Sequence, residues 1–259
     1  MCLILLAWQS HPGFPLVVAA NRDEFFARPT AQAHFWDDAP NILAGRDLSA
    51  GGTWMGLTRQ GRFAAVTNFR EPEKLLADAP TRGRLVSDFL AGSMRSQDYL
   101  ADLAEKAAAY NGFNLLCCTL EDGLWHFSNR NQADRGSLQP LAAGIYGISN
   151  HLLDTPWPKV AQGKSNLMLA LNALPQEVPL YKLLHDESIY EDSQLPRTGV
   201  SLEWERTLSA AFVRAPSYGT RSCTVLRVDR QRFVSFDEQT FLPGARPGNR
   251  RRYRFRLAG

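Results

Sequence analysis

Cysteine is scarce in this chain and histidine is scattered. Four cysteines (Cys2, Cys117, Cys118 and Cys223) among 259 residues are too few and too irregularly spaced for a disulfide framework or a zinc site, which fits a reducing compartment. The five histidines (His11, His34, His126, His151 and His185) form no HExxH or other metal-ligand spacing, so no metal centre is expected. Long apolar runs are missing as well: nothing approaches roughly 18 consecutive apolar residues, and the apolar start has neither a basic leader nor a small-residue cleavage site. Stable membrane insertion and secretion are therefore not expected, and the default address is cytoplasmic. Charge of one sign is not in excess. A net charge of +3 is too mild to imply a nucleic-acid partner. No Pro/Gly/Ser-rich linker or low-complexity tract interrupts residues 1–259, which are expected to form one domain with an ordinary 44% apolar fraction. Oligomeric state is not legible.

What is present begins at position 2. Cys2 follows the initiator methionine, which an aminopeptidase removes when the next side chain is this small, so the mature chain is expected to start with a thiol and a free α-amine on one residue. An α-amino group titrates near pH ~8, so a useful fraction is unprotonated at neutral pH and can take the thiol proton. The alternative is a small hydrophobe opening a buried strand, since free cysteine is often buried.

The rest of the chain alternates strand pairs with helices. Residues 2–8 and 15–20 are apolar runs around His11-Pro12-Gly13, a hairpin pattern. Residues 53–57 and 63–68 read as a second pair turning near Gly61. Leu85, Val86, Phe89 and Leu90, and then Tyr99, Leu100, Leu103, Ala107 and Tyr110, recur at helical spacing. Residues 113–119 and 124–127 read as strands, 158–174 as a helix, and 224–228 and 233–236 as strands. The tail closes the sheet, with Arg246, Arg250, Arg251, Arg252, Arg254 and Arg256 alternating with Tyr253, Phe255 and Leu257 as on a solvated edge strand. Residues 186–205 lean acidic and read as a surface loop. Helices outside two antiparallel sheets, an α+β arrangement, account for this order.

Asn21-Arg22-Asp23-Glu24 ends the second strand. If the first two strands pair as a hairpin, Asp23 sits beside the chain start, where a carboxylate can hold the α-ammonium. Strand alternation then turns Arg22 away from Cys2 toward neighbouring acids. Alone, such a cluster is more often a turn with a surface salt bridge. Trp54 and Met55 in GGTWMG, with Phe25, Phe26, Phe35 and Trp36, suggest an apolar wall beside the site.

These residues resemble the Transport and Golgi Organization family, also called the NRDE family. The likeness rests on Met1-Cys2, LVVAANRDEFFARPT, GGTWMGLT, FAAVTNFREP, YNGFNLL, YGISNHLLDTPWPK, YGTRSCTVLRVD and the Tyr-x-Phe tail. The resemblance implies a four-layer αββα sandwich of the N-terminal-nucleophile (Ntn) hydrolase type, and an association with haem mobilisation and with Golgi and mitochondrial roles. A looser similarity to choloylglycine hydrolase and penicillin V acylase implies a site of Cys2, Asp23, Asn68, Asn150 and Arg221. In that set Asp23 holds the amine, Asn68 donates to an oxyanion, Asn150 orients substrate or amine, and Arg221 lowers the thiol pKa. In those hydrolases an Arg precedes the Asp by three residues, whereas Arg22 and Asp23 are adjacent here. Asn21, Arg22, Glu24 and Trp54 are the expected ligand-binding residues.

Two function classes follow. One is a cysteine-nucleophile hydrolase of linear N-acyl amides, needing no cofactor. The other binds or traffics haem or a similar amphipathic ligand in the same pocket. No Cys-Pro dipeptide or Cys-x-x-Cys-His motif points to haem, and the axial ligand stays open among Cys2 and the histidines. The family resemblance covers more of the chain, which places haem handling first.

Overall fold

The computed structural model describes residues 2–131 and 138–258; Met1, whose removal the sequence predicts, lies outside them. The first sheet runs in the order β12-β11-β10-β2-β1-β9, with β1 (Cys2–Trp8), β2 (Leu16–Phe25), β9 (Gly144–Ile148), β10 (Tyr218–Val228), β11 (Phe233–Leu242) and β12 (Arg246–Arg256). The second runs β3-β4-β5-β6-β7-β8, with β3 (Thr30–Phe35), β4 (Ile42–Asp47), β5 (Met55–Thr58), β6 (Phe63–Asn68), β7 (Phe113–Thr119) and β8 (Gly123–Ser128). Both sheets are antiparallel. Helices α1 (Gly83–Ala91) and α2 (Ser96–Lys106) cover the outer face of the second sheet. Helices α3 (Pro158–Leu171) and α4 (Val178–Leu184) cover the first, and α5 (Leu202–Ser209) follows them in the chain. The result is the four-layer αββα sandwich.

Period-2 alternation builds the layers. Ile4, Leu6 and Trp8 of β1 and Leu16, Val18 and Ala20 of β2 enter the core between the sheets with Phe63, Ala65 and Leu116. Leu3, Leu5, Ala7, Val17 and Ala19, one step out of phase, pack against Val160, Leu167, Leu180 and Leu183 of the helical layer. Strands buried on both faces lose polar alternation, which is why β1 and β2 read as continuous apolar runs.

Three strands and two helices escape the pattern reading. β3 is only half-buried and rich in polar residues, β4 has four buried residues before Arg46 and Asp47, and β9 is five residues with two glycines. α4 and α5 are short. The acidic stretch 186–205 is therefore not all surface loop: Ser201 Oγ caps α5 by accepting the Trp204 N–H at 3.3 Å, and Glu205 is buried. The basic tail is the edge strand β12. Its Arg250 and Arg252 pair with Asp237 and Arg254 with Glu177, each at 2.8 Å.

Glu238 of β11 is buried, and its Oε1 accepts the Ala33 N–H of β3 at 2.7 Å, a polar tie between the sheets. Burial pushes its carboxyl up from 4.5 to about 6. Between those values the folded chain keeps a proton that the unfolded chain releases. The stability this residue contributes is thus fully present below pH 4.5 and lost as pH rises through about 6. Glu238→Gln removes the titration, so its stability relative to wild type should rise by about 2 kcal/mol between about pH 4 and pH 7 in urea unfolding. A constant offset across that range would contradict it.

Candidate functional site

Pairing of β1 with β2 places Cys2 opposite Arg22. Both side chains follow the inward phase of Ile4 and Ala20, so they meet at the end of the sandwich. There Cys2, Arg22, Asp23, Glu24, Trp54 and Asn68 border a cavity of ≈ 290 Å³, closed on its far side by Thr81, Arg82 and Gly83 at the start of α1. The GGTW loop is held against that helix. A Cβ on Gly52 would stand 2.4 Å from the Gly83 carbonyl carbon, and Thr53 N–H donates to Gly83 O at 3.2 Å, so only glycine permits the approach. Trp54 in turn lies over Gly45, whose Cβ would fall 2.2 Å from the indole.

The cavity is polar and highly charged. Burial pushes the Cys2 thiol above its ordinary value and Asp23 adds to that; the Arg22 guanidinium and a hydrogen bond from the Asp23 backbone N–H pull it back down. Arg22 stacks on Trp54, 4.4 Å from the ring centre, while Glu24 Oε2 lies 3.9 Å from both Arg22 and Arg28. Arg28 is held by Asp47 at 2.7 Å. Arg82 donates to the Gly112 carbonyl at 2.9 Å and, among the described residues, forms no ion pair. Asp23 faces the helical layer and its carboxylate accepts from Thr220 Oγ1 at 2.7 Å. Burial raises its pKa, opposed chiefly by the charge of Lys159. Lys159, at the start of α3, is itself buried, donates to Leu208 O at 2.8 Å, and is pushed down to about 8 by burial. The site thus holds a carboxylate and an amine that each depend on the other's charge.

Behind the cavity runs a buried polar chain. Asn150 Nδ2 donates to the Asn68 carbonyl at 3.0 Å and Ser149 Oγ donates to the Cys2 carbonyl at 3.1 Å, which joins the ends of β6, β9 and β1. Arg70 reaches Asn150 Oδ1 at 3.5 Å and forms an ion pair with Glu205 at 2.7 Å, both side chains about 5% exposed. Glu205 also accepts from the Thr198 N–H and hydroxyl at 2.8 and 2.6 Å.

The structure gathers Cys2, Asp23, Asn68, Arg22, Glu24 and Trp54 at one cavity and sends three other residues elsewhere. Arg221 is not at the thiol. The register of β10 against β2 slips between Thr220, opposite Asp23, and Ser222, opposite Arg22, so Arg221 is the extra residue of a bulge and its guanidinium donates to the carbonyls of Phe25 and Arg28. Arg22 takes its place beside Cys2, the reverse of the expected outward orientation, because a cross-strand partner shares its neighbour's face. Asn21 does not line the cavity; it is buried and donates to Leu184 O and Ala211 O at 2.7 and 2.8 Å. Asn150 is fully buried and supports Asn68 rather than lining the cavity. Of the expected apolar wall only Trp54 borders the cavity: Met55 lies between the sheets, Trp36 under α1, and Phe35 against Tyr253 and Phe255. Lys159, Arg70, Arg82 and Glu205 carry charge at or behind the site without a role in the sequence reading. Lys159 and Arg70 stand inside quoted motifs, as the last residue of DTPWPK and the arginine of FREP, a signal left unused. A larger open groove of ≈ 860 Å³ between α3 and α4 holds His185 but none of the groups at Cys2. Among the described residues no three His, Cys, Asp or Glu side chains cluster as metal ligands, and no helix is long and apolar enough to cross a membrane.

A family model described as Transport and Golgi organisation 2 matches residues 1–243. The Transport and Golgi organization 2 homologues of Mus musculus and Homo sapiens are each 36% identical to this chain, over 93% of it and 94% of their own length. Transport and Golgi organization protein 2 of Drosophila melanogaster is 28% identical over 93% of this chain and 92% of its own. Among solved structures, the Caenorhabditis elegans N-acylethanolamine-hydrolyzing acid amidase ortholog aligns with a TM-score of 0.51 at 9% identity, covering 87% of this chain and 92% of that one. At that identity the likeness shows the fold alone, which is that of the Ntn hydrolases. The chain belongs to the Transport and Golgi organisation 2 family.

Proposed function

We propose that this family member hydrolyses a small, negatively charged, linear N-acyl amide, with the Cys2 thiol as nucleophile once Met1 has been removed. The observation that carries the reading is the meeting of Cys2, its strand partner Arg22 and Asn68 in one polar cavity. The freed α-amine takes the thiol proton, and sulfur attacks the amide carbonyl to form the S–C bond. The oxyanion is received by the Asn68 carboxamide. Collapse breaks the C–N bond, the leaving nitrogen takes the proton from the α-ammonium, and water then hydrolyses the thioester, restoring the thiol. Asp23, buried beside the strand end and charge-coupled to Lys159, orients the ammonium. Arg82, whose partner is a carbonyl, has capacity for the substrate's negative charge.

Haem fits this cavity poorly. Its lining is charged rather than apolar, and among the described lining residues Cys2 alone offers an iron ligand. Haemin titration is therefore expected to give no saturable shift that depends on Cys2. The deciding experiment is intact mass spectrometry of purified protein before and after incubation with carboxylate-bearing N-acyl amides. The expected result is a chain starting at Cys2 that gains one acyl mass, with a burst of amine equal to the enzyme concentration. Retention of Met1, or absence of burst and adduct across the panel, would sink the hydrolase reading.

A further inference from the structure

Arg22 and Trp54 are a shared wall. On one side is the cavity at Cys2; on the other a second cavity of ≈ 270 Å³ opens between β3, β10, β11 and β12, bordered also by Arg221, Ser222 and Glu238. Arg22 is 5% exposed, yet its Nη1 is buried without a hydrogen-bond partner. Neither of its neighbours supplies one: Glu24 is 3.9 Å from Nη2, and the Trp54 contact is to the face of a ring. An orphaned donor on a charged group is costly inside a protein, and a ligand acceptor relieves that cost. A guanidinium has five donors in a planar fork, so Arg22 can act on the thiol and still serve the other side. Arg221, which the bulge removes from Cys2, adds a second cation here. Facing the two arginines are the Glu238 carboxylate, with acceptor capacity beyond the Ala33 N–H, and the Ser222 hydroxyl beside it.

This set pairs cations for an anion with an acceptor for a donor, in a cavity of ≈ 270 Å³. We propose that the second cavity binds a short carboxylate carrying a hydrogen-bond donor on the adjacent carbon, such as a 2-hydroxy or 2-amino acid. The carboxylate lies between Arg22 and Arg221, and the hydroxyl or ammonium donates to Glu238. The site is separate from the proposed hydrolytic cavity and stands whether or not Cys2 turns over amides.

Calorimetric titration with glycolate tests it, with acetate as the analogue lacking the donor. Wild-type protein should bind glycolate saturably and acetate more weakly. Arg221→Met and Glu238→Gln should each weaken glycolate by about tenfold or more, while Cys2→Ala and Arg82→Met, on the other side of the wall, should leave it unchanged. Thermal unfolding of each variant identifies those that are folded, and two independent variants keep the test decisive if one is not. Absence of saturable glycolate binding in the wild type would overturn the proposal. So would binding that survives both Arg221→Met and Glu238→Gln but is lost in Arg82→Met, which would place the carboxylate in the Cys2 cavity.

Discussion

Replacing Cys2 with serine should lower amide turnover by at least about a thousandfold while moving the unfolding midpoint by no more than about 2 °C. Serine keeps the size of the side chain at a partly exposed strand end, so packing changes little. It replaces a thiol with an alcohol that ionises far less readily, and a neighbouring α-amine titrating near ~8 is a weak base for that task. Steady-state rates and single-turnover bursts, compared with a thermal melt of the same sample, separate the two effects. A variant that keeps its rate would show that sulfur is not the nucleophile. One that lost rate and stability together would show that Cys2 packs rather than reacts, which is the small-hydrophobe reading of the same residue.

Glu205→Ala is expected to be the most destabilising single change near the site. It removes the ion-pair partner that the Arg70 guanidinium, about 5% exposed, holds at 2.7 Å. Breaking a buried pair in this way costs about 3–5 kcal/mol, roughly a 10 °C fall in midpoint for a chain of this size. The loss reaches the cavity, because Arg70 also holds Asn150, and Asn150 holds the Asn68 carbonyl. Turnover should therefore fall even at temperatures where the variant is folded. Arg206 and Asp192 supply an internal control: Arg206, on the same helix as Glu205, pairs with Asp192 at 2.6 Å, but both are half exposed. Asp192→Ala should barely change stability, since solvent screens that pair. Equal effects from the two variants would mean that the Arg70–Glu205 pair is solvated and does not brace the site.

Much of the architecture was legible because burial on both faces writes itself as unbroken apolar runs, and burial on one helical stripe as 3 to 4 residue spacing. β1, β2, β6, β7, α1, α2 and α3 are of these kinds. β3 and β9 were not, because a half-buried or glycine-containing strand has no such signature and forms only when a neighbouring strand supplies its hydrogen bonds. At the site, Cys2 followed from its position after Met1, and Asp23 from the end of a hairpin strand.

The sequence by itself determined that a small thiol-bearing residue opens the first strand, that the NRDE run ends its partner, and that apolar layers must stack outside and between two sheets. Only the tertiary structure decided which charges face which. One extra residue at the β10 bulge took Arg221 away from the thiol, and cross-strand pairing put Arg22 there instead. Glu205 found Arg70 across 135 positions of chain, and Lys159 came to stand by Asp23 from the far side of the fold. Hydrophobic periodicity is a local property, set by which face of one element is dry. Charge pairing depends on the distance between elements after they have packed, and nothing in the order of residues along the chain contains that distance.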